Sequence, residues 1–187
     1  MSSQRLDPAD FASTPAPGRD CGSCTLCCKV FDVEALNKPM GQWCPHCKPG
    51  RGCGIHETRP AHCRAYHCFW MLAPFLGPEW KPDRARFVLS IDPQSKFLMA
   101  QVDPAQPTAW RQEPYYSQLK KWAVAGVSHG RQVLVFNGKA ATAILPDRDV
   151  DLGVIAPDER VFFTVHPVVG GFAFNAEKRK VGPQASA

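Results

Sequence analysis

With 187 residues, 44% of them apolar and 21% charged, the chain is long enough for one ordinary domain, or a small module joined to a second, and too apolar to remain disordered. Its net charge of +5 is modest, no apolar run approaches the roughly 18 residues of a membrane span, and the opening MSSQRLDPADFASTPAPGRD lacks the basic-then-apolar layout of a secretory signal. The expectation is a soluble, cytoplasmic protein with no membrane partner.

Residues 1–20 are rich in Ser, Pro, Asp and Ala without periodicity and read as a disordered tail. Residues 21–70 hold all nine cysteines. In a reducing compartment disulfides are rare, and a disulfide framework would spread its bridges over the whole fold, so the clustering points to metal chemistry. CGSC, CTLC and CPHC are Cys-x-x-Cys pairs, a spacing that lets one turn of backbone aim two sulfurs at one metal while N–H groups point at the thiolates. Cys24, Cys27, Cys44 and Cys47 fit a zinc-ribbon spacing. Cys21, Cys24 and Cys27 equally fit three corners of a [4Fe–4S] cluster, with a later cysteine as the fourth. Zinc and iron–sulfur both stay open. Side chains of adjacent residues such as Cys27 and Cys28 diverge in most backbone conformations, which predicts that they serve different sites or different irons; a buried, inert Cys28 is the alternative.

In CGIHETRPAHCRAYHCFW, residues 53–70, Pro60 predicts a helix through about Trp70 with Thr58 or Arg59 near its cap. Cys63 and Cys68 would diverge by roughly 140° on that helix, so they serve one metal only where it ends or bends. With Cys53 they complete the ligand candidates Cys21, Cys24, Cys27, Cys28, Cys44, Cys47, Cys53, Cys63 and Cys68. His46, His56, His62 and His67 are substitutes, each weighed against a solvent-facing or packed role. A four-thiolate centre carries a charge of about −2 and needs nearby cations. Residues 21–70 carry six lysines and arginines against three carboxylates, and Arg59 and Arg64, beside the second cysteine group, are the candidate cofactor-binding donors. The same excess of positive charge could meet nucleic acid, but no recognition helix or interleaved aromatics accompany it, so nucleic acid is not expected as a partner.

Residues 71–84, with three prolines among large apolar groups, read as a packed connector, and 85–175 as a sheet-rich part of the same or a second domain. FVLSI (87–91) and FLMAQV (97–102) flank the turn signal DPQS; QVLVF (132–136) and AATAIL (140–145) flank Asn137-Gly138-Lys139, a tight-hairpin signal; VFFTVH (161–166) and GFAFN (171–175) follow. Between them EPYYSQLKKWAVAG predicts one helix, with Tyr115, Leu119 and Trp122 as a core stripe. Residues 176–187 read as a tail. The fold class is α+β: an irregular or helical cysteine-rich metal module packed on a mainly antiparallel sheet, with one intervening helix. No phosphate loop, Ser-His-Asp set or paired carboxylates stand out. The glycines of GRGCG (50–54) read as a turn, and His129 and His166 as structural.

CGSCTLCC (21–28), WC (43–44), GCGIHETRP (52–60) and CRAYHC (63–68) together resemble the CxxCxxCC proteins of the YkgJ type, described as zinc- or iron-chelating domains and in part as Fe–S oxidoreductases. His56 and Tyr66 stand where that pattern has Tyr and Phe. The resemblance covers about 50 residues. It implies a metal ion or cluster as cofactor, zinc or iron–sulfur undecided. A related module in flagellin lysine N-methylases implies, as an alternative, an Fe–S-dependent oxidoreductase or methyltransferase-like enzyme. A third reading, a redox dithiol at CPHC, lacks the βαβ context such motifs occupy.

Overall fold

The structure is a computed structural model that describes residues 14–182. Residues 1–13 and 183–187, which hold much of both expected tails, lie outside the described residues. Residues 14–20 are not loose. Ala16 N–H donates to Met71 O at 2.8 Å, and the Arg19 guanidinium donates to the carbonyls of Trp70, Pro74 and Leu76. An arginine that satisfies three carbonyls anchors this strap against the second cysteine group.

The cysteine module consists of short pieces, α1 (Cys27–Val30), the hairpin β1 (Cys47–Lys48) and β2 (Gly52–Cys53), and α2 (Ala61–Ala65); α3 (Phe69–Leu72) leads out of it and α4 (Pro82–Ala85) closes the connector. The helix expected through Trp70 is broken. Tyr66 and Cys68 are extended, at ψ 124° and 156°, which separates α2 from α3. The break lets Tyr66 bury its ring edge-to-face on Phe31, with centroids 5.1 Å apart. It also meets the condition under which Cys63 and Cys68 can face one space.

The body is a five-stranded sheet in the order β3 (Phe87–Ile91), β4 (Leu98–Val102), β5 (Val133–Asn137), β6 (Ala140–Ile144) and β7 (Asp149–Val154). All neighbours are antiparallel except β4 and β5, which run parallel because α5 (Tyr115–Gly126) carries the chain back across one face. On that face Leu119, Trp122 and Ala123 of α5 pack on Phe87, Leu89, Ala100, Val133 and Ile144. Trp80, from the connector, lies 5.0 Å from the Tyr115 ring and 5.2 Å from Trp122. The aromatic stripe is core.

Strand β3 is buried on both sides, so its other face carries a second load. There Val88 packs with Leu26, Val30, Cys68 and Met71 and seats the cysteine module. Farther along the same face lies the hairpin of β8 (Glu159–Val168) and β9 (Gly171–Lys180), with Phe163 against Phe97 at 5.2 Å and Ala176 against Leu134, Ala141 and Leu152. The fold is α+β, a mainly antiparallel sheet between a helix and a layer made of hairpin and module.

Three local differences have physical causes. Asn137 pairs with Ala140, so the turn's central pair is Gly138–Lys139, with Gly138 at φ +60°. The acidic strand β7 escapes a hydrophobic pattern because it is an edge strand with Leu152 as its one buried side chain. Strand β9 runs on to Lys180, past the sheet end expected at Asn175, because Lys178 donates to Val154 O and pairs with Glu159 while Glu159 opposes Lys180 in the ladder. Among the described residues no helix is long and apolar enough to cross a membrane.

Candidate metal centre

Two Cys-x-x-Cys pairs form turns closed by their own backbone. Cys24 N–H donates to Cys21 O at 2.8 Å, with Gly22 at φ +50°, and Cys47 N–H donates to Cys44 O at 2.9 Å. Cys44 N–H in turn donates to Cys28 O at 3.0 Å and fastens the second turn to the end of the first cluster. The β1–β2 pairing sets Cys47 opposite Cys53. The GRGCG glycines serve this hairpin: Gly54 N–H donates to His46 O at 2.7 Å, and a Cβ at Gly54 would come within 3.1 Å of that oxygen. Gly50 N–H donates to Thr25 Oγ1 at 3.1 Å, which ties the hairpin tip to the first cluster. CPHC therefore leads into a short strand, away from any helix start.

These turns surround one cavity of about 530 Å³. Every cysteine except Cys47 lines it, and Cys47 lies directly behind, hydrogen-bonded to the Cys28 thiol. All nine thiols are free. His56, His62 and His67 reach the wall, whereas His46 contributes its backbone. Cys27 and Cys28, about 100° apart on α1, both line the cavity and hydrogen-bond to each other. Among the described residues no three Cys, His, Asp or Glu side chains are drawn together at metal-ligand spacing. The donors fit a thiophilic metal in kind and in enclosure, and closing on an ion requires side-chain rotation within the cavity.

The electrostatics follow from crowding. Cys28 is held far above the ordinary thiol range, first by its hydrogen bond to Cys27, then by burial and by the Cys27 charge. Burial, then the nearby Cys28, pushes Cys47 up to about 12. Burial pushes Cys68 up to about 11, with Cys24 and Cys21 adding to it and the N–H groups of Met71 and Trp70 opposing it. Burial also raises Cys63, helped by Cys28, Cys44 and Cys53. Without a cation these are neutral thiols; a bound metal reverses that balance.

The cations around the cavity are only partly the expected ones. Arg59 lines it, and its buried Nε has no hydrogen-bond partner among the described residues. Arg64 is exposed and outside the lining, because one residue of helix turns it about 100° from Cys63. Lys38 is 3% exposed; it donates to the carbonyls of Lys29 and Phe31 and lies within electrostatic reach of Cys44, Cys28 and Cys27. Burial lowers its pKa, and those thiols oppose the change. Lys81 and Met71 also line the cavity, and neither was singled out from sequence. Met71 had a legible signal, its position three residues after Cys68; Lys38 had none.

No protein-family model matches the chain significantly, and no curated protein and no solved structure does either.

Proposed function

We propose that residues 21–68 form a thiolate metal centre that binds zinc or an iron–sulfur cluster and that the protein is a metal-binding protein through it. The observation that carries the reading is the convergence of free cysteines from five separate stretches, residues 21–28, 44–47, 53, 63 and 68, around one cavity. Unpaired thiols at that density, most of them half-buried, have little structural use, because an apolar side chain fills the same space without the mutual repulsion that ionisation brings. The resemblance to YkgJ-type chelating domains supports the same reading, and free thiols go with a reducing, cytoplasmic setting. The ligands come from Cys21, Cys24, Cys27, Cys28, Cys44, Cys47, Cys53, Cys63 and Cys68, with Arg59 and Lys38 as the countercharge.

A second reading, a cluster-dependent oxidoreductase or methyltransferase-like enzyme, is favoured by the size of the cavity. About 530 Å³ falls within the roughly 300–1,000 Å³ of small-molecule pockets and leaves room beside a metal centre. Purification without oxygen, followed by elemental analysis and an absorption spectrum, tests both readings. Brown protein with broad absorption near ~400 nm indicates a cluster, and colourless protein with stoichiometric zinc indicates a structural site. Anaerobic protein free of either metal, with its thiols paired as disulfides, refutes the proposal.

A further inference from the structure

Seven of the nine cysteines fall into two sets joined by different backbone bonds, with Cys27 and Cys63 in neither. One set combines the Cys21–Cys24 turn with a second turn of the same build, in which Met71 N–H donates to Cys68 O at 2.9 Å. A Cys-x-x-Met turn thus faces a Cys-x-x-Cys turn, and Cys21 Sγ lies 3.6 Å from Met71 Sδ. Cys24 packs in the same cluster as Cys68 and Met71, and all four residues line the cavity. The backbone N–H groups of Trp70 and Met71 favour the thiolate of Cys68, and those of Leu26 and Asp83 that of Cys24, as donors beside a metal-bound thiolate do. The other set is joined through Cys28, Cys44, Cys47 and Cys53 by the Cys44–Cys28 and Cys47–Cys44 backbone bonds and the Cys47–Cys53 pairing.

Two cations lie beside the first set. Arg19 and Lys81 both stack on Trp70, at 4.3 and 5.3 Å from the ring centroid. Arg19 donates to the carbonyl of Trp70, inside the Cys68–Met71 turn. The Lys81 ammonium lies 3.5 Å from where a Cβ on Gly22 would stand, inside the Cys21–Cys24 turn. Three thiolates with a monovalent ion carry a formal charge of −2, which Arg19, Lys81 and Arg59 offset in part, against the nearby Asp20 and Asp83 carboxylates. Met71 supplies a neutral, soft thioether, a donor that suits Cu(I) and adds little for zinc.

We propose that Cys21, Cys24, Cys68 and Met71 form a soft-metal site for Cu(I), separate from the thiols around Cys28, Cys44, Cys47 and Cys53. The proposal rests on the metal-binding reading above and divides its ligands between two centres. Each thiol that ligates copper gives its proton to the buffer, and the thioether has none to give.

The test uses the full chain, reduced and metal-free, titrated without oxygen with Cu(I) from a competing coloured chelator. Met71→Leu conserves volume, so the fold is kept. It is expected to weaken one copper equivalent at least about tenfold and to leave any other unchanged, whereas Cys44→Ser with Cys47→Ser leaves that equivalent in place. Selenomethionine-labelled chain is expected to show selenium bonded to copper by X-ray absorption, and Met71→Leu to abolish that signal. A titration indifferent to Met71 with no copper–selenium signal overturns the inference, as does loss of the same equivalent in the Cys44/Cys47 variant. A chain that holds zinc or a cluster yet gives either result keeps the broader reading and loses this one. A chain that takes up no metal loses both.

Discussion

In the sheet body Leu119, Val133 and Ile144 are closed off from water, and strands of five residues share a core with a twelve-residue helix. In residues 21–68 the buried apolar side chains are Leu26, Val30 and Val33, accompanied by Cys44 and Cys68, and no helix exceeds five residues. Isolated helices shorter than about 12–15 residues are marginal in water, and the module buries too little carbon to compensate. The body is ordered by apolar burial; on the proposed function the module is ordered by a metal held on its sulfurs. The apolar surface they share, Val88 with Leu26, Val30 and Met71, lets the body carry the module without supplying its internal order.

Removing sulfur should therefore affect one region and removing carbon the other. Replacing Cys28, Cys44 and Cys47 together by serine should abolish metal binding at that centre, where structural sites contribute about 10–16 kcal/mol in small domains. The expected result is loss of amide-exchange protection over residues 21–68, with the β3–β6 amides unchanged. Leu119→Ala should do the converse, costing about 2–5 kcal/mol in denaturant unfolding while metal content per folded chain stays the same. At the seam, Lys29 and Asp103 pair at 2.5 Å, with side chains 15% and 9% exposed. Lys29→Met leaves Asp103 without its cation and should cost about 1–3 kcal/mol, read as a lower unfolding midpoint.

The smallest effect is expected at Asp92, in the β3–β4 turn. Its carboxylate accepts hydrogen bonds from Ser95 N at 2.6 Å, Ser95 Oγ at 2.7 Å and Gln94 N at 3.1 Å. Burial pushes its pKa up, but these bonds and Lys96 outweigh burial and hold it below the ordinary 3.8. The folded state thus favours the ionised form. That stabilisation is present above the unfolded value and is lost as the pH falls through the folded one. Asp92→Ala should cost about 0.5–1.5 kcal/mol at neutral pH, and unfolding curves of variant and wild type should converge in acid.

The contrast also explains what could be read beforehand. The Gly138 hairpin and the Tyr115–Leu119–Trp122 stripe were legible because each is decided within a few residues, by a positive φ or a helical period. The break between α2 and α3 was not, since Tyr66 leaves the helix to meet Phe31, 35 positions earlier in the chain. Strand β7 was hidden because an edge strand needs only Leu152 in the core. The cysteine spacings announced turns, and two of these formed, each closed by its own backbone bond. Lys38 was invisible, because a lysine between Asn37 and Pro39 reads as solvent-facing until the fold closes over it. Cys27 and Cys28, about 100° apart on α1, still line one cavity, because the cavity is wide enough to take both.

Amide hydrogen exchange on the anaerobically purified full chain, before and after a strong chelator, tests the dependence of the module on metal most directly. The account predicts that chelation removes protection from residues 21–68 and leaves the β3–β6 amides as slow as before. Metal-free, fully reduced chain whose residues 21–68 stay as protected as the sheet would contradict it.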